Sequence, residues 1–75
     1  MEDTNKNLKS LGNQIRSLRK KRNLSQEAAA LQAVIDRSYF GSIERGERNV
    51  GILTLIKIAE VLQCSVSDFT KNIPQ

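Results

Sequence analysis

The stretch Ser25-Gln26-Glu27-Ala28-Ala29-Ala30-Leu31-Gln32-Ala33-Val34-Ile35-Asp36-Arg37-Ser38-Tyr39-Phe40-Gly41-Ser42-Ile43-Glu44-Arg45-Gly46 reads as two short helices and the turn between them. Ser25 sits where an N-cap belongs, its hydroxyl able to accept from an unpaired helix amide. Gln26 through Gln32 are strong helix formers that include three consecutive alanines. Ala33-Val34-Ile35 breaks that pattern, and Asp36 offers a second N-cap whose carboxylate suits the positive end of a helix. Ile35 before this cap and Phe40 at the fourth helical position match a hydrophobic staple, which fixes the angle at which the chain enters the helix. The second helix therefore runs from Arg37 to about Arg45 and closes on Gly46 as a left-handed C-cap. At 100° per residue, Phe40 and Ile43 point to one side, and Arg37, Ser38, Gly41, Ser42 and Arg45 to the other.

Working outward, Leu8, Leu11, Ile15 and Leu18 are spaced to form one stripe of a preceding helix that ends near Arg22-Asn23. After a loop from Glu47 to Gly51, Ile52 to Leu62 form a further helix with Ile52, Leu55, Ile56, Ala59 and Leu62 as the expected core stripe, leaving Ile58 and Val61 off it. Ser65-Val66-Ser67-Asp68 resembles a capping box that opens a last short helix carrying Phe69. The chain reads as all-α, five helices with no strand signal, repeat or internal linker. Met1 to Asn7 is expected to be a flexible tail and residues 8–75 the domain, with its two-helix unit at about 25–45.

Seventy-five residues allow one small domain, which by area scaling buries only about 60% of the surface of its unfolded chain. Three aromatic residues, Tyr39, Phe40 and Phe69, leave the core mainly aliphatic. His is absent and Cys64 is the single cysteine, which excludes intramolecular disulfides, Cys/His zinc sites and nucleophile–histidine arrangements. With no paired carboxylates, phosphate loop or metal-ligand cluster either, the chain is expected to be no enzyme and to use no cofactor, metal or small-molecule ligand. Cys64 reads as a small apolar side chain without chemistry. No apolar run approaches the roughly 20 residues of a membrane span, and the polar start has no signal-peptide core, so a soluble cytoplasmic protein is expected.

The net charge of +4 is unevenly placed. Between Lys9 and Arg22 there are six basic residues (Lys9, Arg16, Arg19, Lys20, Lys21, Arg22) and no acidic one. Such a block attracts a polyanion or is simply a solvated helix face. The two-helix unit favours the first reading, because two short helices joined by a turn, the second with a polar face, are the parts of a helix-turn-helix. A helix fits the major groove of DNA, where Arg37 can donate two hydrogen bonds to guanine, Ser38 and Ser42 can donate or accept, and Gly41 adds no bulk. The alternative from another class is a protein-binding helical adaptor whose basic face is only solvated.

Leu24-Ser25-Gln26-Glu27, followed by Asp36-Arg37-Ser38-Tyr39-Phe40-Gly41-Ser42-Ile43-Glu44-Arg45-Gly46-Glu47-Arg48-Asn49-Val50, resembles the lambda-repressor-like (Xre-type) DNA-binding domains over residues 8 to 70. Within them it is most similar to the controller proteins of bacterial restriction-modification systems. The resemblance implies a sequence-specific transcription regulator that binds double-stranded operator DNA and controls the endonuclease gene and its own, activating at low concentration and repressing at high. It implies that Arg37 and Ser38 read bases with Tyr39 and Ser42 at the edge of the same surface, while Gln26, Arg45, Arg48 and Asn49 hold phosphates. It further implies a buried ion pair between Arg19 and Glu44, and activation by contact with RNA polymerase through an exposed acid such as Glu27 or Glu47. A phage-type repressor or an antitoxin would use the same helices on another operator.

Three positions depart from the family pattern: Val34 where the turn usually has Gly, Ala29 where a Leu is usual, and Gly51 where a Ser cap is usual. A β-branched residue at positive φ costs about 1 to 2 kcal/mol, so either the turn is remodelled or stability suffers. Phe40, bulkier than the usual Ile, is expected to fill space left by Ala29. Ile58, Val61, Phe69 and Ile73 are expected to form a homodimer interface, placing two recognition helices about one DNA turn, roughly 34 Å, apart on an inverted repeat.

Overall fold

The computed structural model describes residues 2–71 and residue 73. It contains α1 (Glu2–Lys21), α2 (Gln26–Ala33), α3 (Arg37–Glu44), α4 (Ile52–Leu62) and α5 (Val66–Thr70), with no strand among the described residues. α1 packs on α3 and α5, α2 on α3 and α4, and α4 on α5, so every helix closes one core. Residues 2–7, expected as a flexible tail, instead form the first turns of α1. No Gly or Pro separates them from the Leu8–Leu11 stripe, so nothing in the segment breaks the helix. Met1, the other residue of that expected tail, lies outside the described residues, as do Asn72, Pro74 and Gln75 of the expected 8–75 domain.

Leu11 and Ile15 of α1, Ala29 and Ala30 of α2, Phe40 and Ile43 of α3, Leu55, Ile58, Ala59 and Leu62 of α4 and Phe69 of α5 make the core. The small alanine face of α2 is buried beside the large Phe40 of α3, so a bulky residue on one helix meets small ones on the other. The stripe expected for α4 is corrected here. Ile58 is fully buried, whereas Ile52 and Ile56 are 59% and 41% exposed. α4 is apolar on most of its circumference, so two stripes a fraction of a turn apart satisfy the same periodicity. Packing against α2 and α5 selects Leu55, Ile58, Ala59 and Leu62.

Two glycines are required by close packing or by backbone conformation. Gly12 faces the carbonyl oxygens of Ile43 and Glu44 at the crossing of α1 and α3, and a Cβ there would collide with backbone. Gly46 closes α3 at φ 73°, the left-handed region that glycine enters without steric cost. At α5 the Ser65 backbone N–H and hydroxyl both donate to Asp68 Oδ2, at 3.0 and 3.1 Å. These bonds hold the Asp68 carboxyl below its ordinary range, so the cap is ionised at neutral pH. Burial, and then the Asp68 charge, push the Cys64 thiol up, which keeps it protonated.

Gly51 is the weak cap of the fold. It occupies the N-cap of α4 at φ −75° and ψ 160° without a side-chain hydrogen bond, and a Cβ added there meets nothing. Gly51→Ser is expected to raise unfolding free energy by about 0.5 to 1 kcal/mol, from a gained cap and a less flexible unfolded chain. Denaturant titration should show the midpoint rising with an unchanged slope.

Candidate nucleic-acid interface

The unit from Ser25 to Gly46 is fixed at each joint by a specific hydrogen bond. Ser25 Oγ accepts from the Ala28 N–H at 3.0 Å and opens α2. α2 ends at Val34, which adopts φ 57° and ψ 49° with its N–H directed to the carbonyls of Ala30 and Leu31. The turn is therefore not remodelled around the missing glycine, and the left-handed strain is retained. Ile35 N–H donates to Ala30 O at 2.9 Å, and Asp36 Oδ2 accepts from the Tyr39 N–H at 3.1 Å to start α3.

α3 presents Arg37 and Ser38, both exposed, in its first turn. Tyr39 is half-buried against the core, and the Arg48 guanidinium lies 5.9 Å from its ring centroid, within cation–π range. This contact draws the loop after α3 towards its N-terminal end. Arg45, Arg48 and Asn49 are exposed around that loop, with Arg45 Nε 3.1 Å from Glu47 Oε2 in a pair 57% exposed on each side. So exposed a pair exchanges readily with a phosphate oxygen.

Ser42 is corrected by the structure. It is 8% exposed, and its hydroxyl donates to Tyr39 O at 2.7 Å. The hydroxyl is tied to its own helix, so Ser42 does not belong to the exposed outer surface of α3. Gly41 is also buried, beneath two side chains, since a Cβ there would sit 3.1 Å from Arg45 Nη1 and 3.3 Å from Gln26 Oε1. Side chains of α2 and α3 thus converge over a residue that has none.

Arg19 and Glu44 form a bidentate ion pair, Nε to Oε2 at 2.6 Å and Nη2 to Oε1 at 3.0 Å, with side chains 9% and 2% exposed. Arg19 Nη1 also donates to Leu24 O at 2.8 Å, and Gln26 Nε2 to Glu44 Oε1 at 2.9 Å. One N–H of the Gln26 amide is therefore committed to this network. An amide NH2 carries two, and the second is not used by Glu44.

Two of the four expected dimer residues, Ile58 and Phe69, are also corrected. Ile58 and Phe69 are fully buried in the chain's own core, and Val61 and Ile73 are half-buried against it. Among the described residues, the large apolar side chains left exposed are Leu31, Val34, Ile52, Leu53 and Ile56. On α4, periodicity misses Ile52, Leu53 and Ile56 because it ranks residues by spacing, not by which face α2 and α5 cover.

A capped helix, a three-residue turn and a second capped helix with a cationic outer surface define a helix-turn-helix protein. Residues 15–69 match the helix-turn-helix family model. The chain is 44% identical over 63 residues to the control protein C.MunI of a Mycoplasma species, covering 83% of this chain and 85% of that one. It is 48% identical over 56 residues to the control protein C.SmaI of Serratia marcescens, covering 75% and 67%. Among solved structures, the restriction-modification controller protein C.AhdI from Aeromonas hydrophila superposes with a TM-score of 0.81 at 39% identity, covering 83% of this chain and 94% of that chain. The chain belongs to the helix-turn-helix family, in its group of restriction-modification control proteins.

The ion pair gives a direct test of how this surface is held. Glu44→Ala leaves the Arg19 guanidinium buried and unpaired, and should cost about 3 to 5 kcal/mol in chemical denaturation. A loss within about 1 kcal/mol, the range of an exposed pair, would contradict the burial described above.

Proposed function

We propose that this protein is a transcription regulator that binds operator DNA as a homodimer and controls the genes of a restriction-modification system, its own included. The observation that carries the reading is the rigid α2–turn–α3 unit, with Arg37 and Ser38 exposed at the tip of α3 and Arg45, Arg48 and Asn49 around the loop that follows. In the major groove Arg37 donates two hydrogen bonds to O6 and N7 of a guanine, and Ser38 donates to or accepts from a neighbouring base edge. Tyr39 borders this surface and carries Arg48 on its ring. Gln26, Arg45, Arg48 and Asn49 hold phosphates on either side and so set the register of α3.

The second copy packs on the exposed apolar residues of α2 and α4. Leu53 and Ile56 lie one helical turn before Lys57 and Glu60 on α4, and those two residues with Val34 and Val61 line an open depression of about 560 Å³. Val34 is both conformationally strained and 84% exposed, and Leu31 is 78% exposed. Nothing within one chain offsets either cost, whereas burial against a second copy removes the apolar exposure. A two-fold axis through this face lets Lys57 and Glu60 of one copy meet the opposite charges of the other, a self-complementary arrangement. Activation works through contact with RNA polymerase, for which Glu27 in the exposed first turn of α2 is better placed than Glu47, which Arg45 engages. Repression follows when bound copies occlude the promoter. The working place of such a protein is the bacterial cytoplasm, on the nucleoid.

Selection from a random duplex library at near-physiological salt should enrich an inverted repeat with half-site centres about 34 Å apart. Arg37→Ala should lose about 1 to 3 kcal/mol of affinity for that site while keeping its affinity for unrelated DNA. If no sequence is enriched, the regulator reading fails and a protein partner becomes the target of search. For the dimer, Leu53→Glu should move the sedimentation behaviour to that of a monomer without loss of helix content. A Leu53→Glu protein that still sediments as a dimer would place the interface elsewhere.

A further inference from the structure

Of the six basic residues from Lys9 to Arg22, Arg19 is bound to Glu44 and Arg22 donates to Gln63 Oε1 at 2.8 Å, which raises the question of what the rest of the cationic side of α1 does. Its position relative to α3 answers part of this. Turning about 100° per residue from Gly12, the core residues Leu11 and Ile15 lie at about −100° and −60°, and Arg19 at about −20°. Gly12 and Arg19 both meet α3, Gly12 at the Ile43 and Glu44 carbonyls and Arg19 at the Glu44 carboxylate. Lys9, Arg16 and Lys20 lie at about 40° to 80°, beyond α3 as seen from the core. All three are exposed. They therefore emerge on the outer side of the seam between α1 and the C-terminal end of α3.

The near end of this stripe is fixed by a close contact. Gly46 lies against Lys9, and a Cβ on Gly46 would be 2.7 Å from both Cα and Cγ of Lys9. Gly46 begins the loop that carries Arg48 and Asn49, so the stem of Lys9 starts beside the residues assigned to phosphates. At the far end, Lys20 is followed by the turn that leads to Ser25 and Gln26 at the start of α2. The stripe spans about 16 Å along α1, and no acidic residue occurs from Lys9 to Arg22 to neutralise it.

We propose that Lys9, Arg16 and Lys20 form a phosphate-binding edge that extends the DNA contact from the recognition helix onto the flanking backbone of the duplex. This inference rests on the DNA-binding reading above and adds a second line of cations to it. The ligand chemistry is a run of phosphodiesters. Exposed lysine and arginine side chains at the periphery meet such a run through charge and carry no base selectivity. The edge accordingly raises affinity for every sequence and leaves the choice of operator to α3.

The test measures binding of the full chain to the selected operator duplex and to a scrambled duplex between about 50 and 200 mM salt. Lys9→Ala, Arg16→Ala and Lys20→Ala, alone and combined, are compared with Arg37→Ala. Each lost phosphate contact should make the slope of log affinity against log salt shallower by about 0.9, and the combined variant by about 2 to 3. The loss should be equal on both duplexes, and Lys9→Arg should behave as the unaltered protein. Circular dichroism checks that each variant folds, and the single variants carry the test if the combined one is destabilised. A combined variant that folds and keeps the original slope overturns the edge, while operator preference intact until Arg37 is replaced leaves the regulator reading standing. Loss of preference for the operator in the combined variant, with the slope unchanged, also overturns it, because it would assign the stripe to base reading.

Discussion

The rest of the structure depends on the buried pair of Arg19 and Glu44. The guanidinium uses Nε and Nη2 on the carboxylate and Nη1 on the carbonyl of Leu24, and the carboxylate also accepts from Gln26. Four parts of the chain meet there: α1, the turn before α2, the first turn of α2 and the C-terminal end of α3. Desolvating two charges offsets most of their attraction, so such a pair adds less to net stability than its short distances suggest. Its effect is on geometry. A planar guanidinium and a carboxylate accept few relative orientations, and a displaced partner would leave a buried charge unsatisfied. The backbone approach that brings them together is possible because position 12 has no Cβ.

With its C-terminal end held by Glu44, α3 needs only one more constraint, and Asp36 and Phe40 supply it at the other end. The helix is thereby held at both ends, and the exposed side chains of Arg37 and Ser38 project from a fixed backbone. Stacking of Arg48 on Tyr39 extends the same restraint to the loop, since a long side chain resting on an aromatic ring has fewer conformers to lose. Gly41 contributes by absence, allowing Gln26 and Arg45 to fold over the middle of the helix.

Other parts of the chain are built less tightly. Asn23, Val34 and Gln63 all adopt left-handed backbone conformations without being glycine, and α4 starts without a side-chain cap. Asn enters this region at little cost, but a β-branched valine does not. The strained turn and the uncapped start of α4 adjoin the exposed Leu31, Ile52, Leu53 and Ile56. Weak local structure and unburied apolar side chains thus occur together on α2 and α4, in contrast to the well-satisfied seam of α1 and α3.

Local signals in the sequence determined the number of helices, their caps and the turn, because a cap is a contact between residues three apart and a stripe is a matter of spacing. Ser25, Asp36 and Gly46 act within their own segments, so their roles need no knowledge of the rest of the chain. Tertiary structure alone decided which face of α4 is buried, since Ile52 and Ile58 are equally apolar and only the positions of α2 and α5 separate them. It also withdrew Ser42 from the outer surface, set Lys9 against Gly46 and brought Gln26 over Gly41. The start of α1 at Glu2 was missed because helix propensity in a polar segment gives no periodic signal. Contacts within a turn are written in neighbouring residues, whereas contacts between helices depend on packing angles that no short segment specifies.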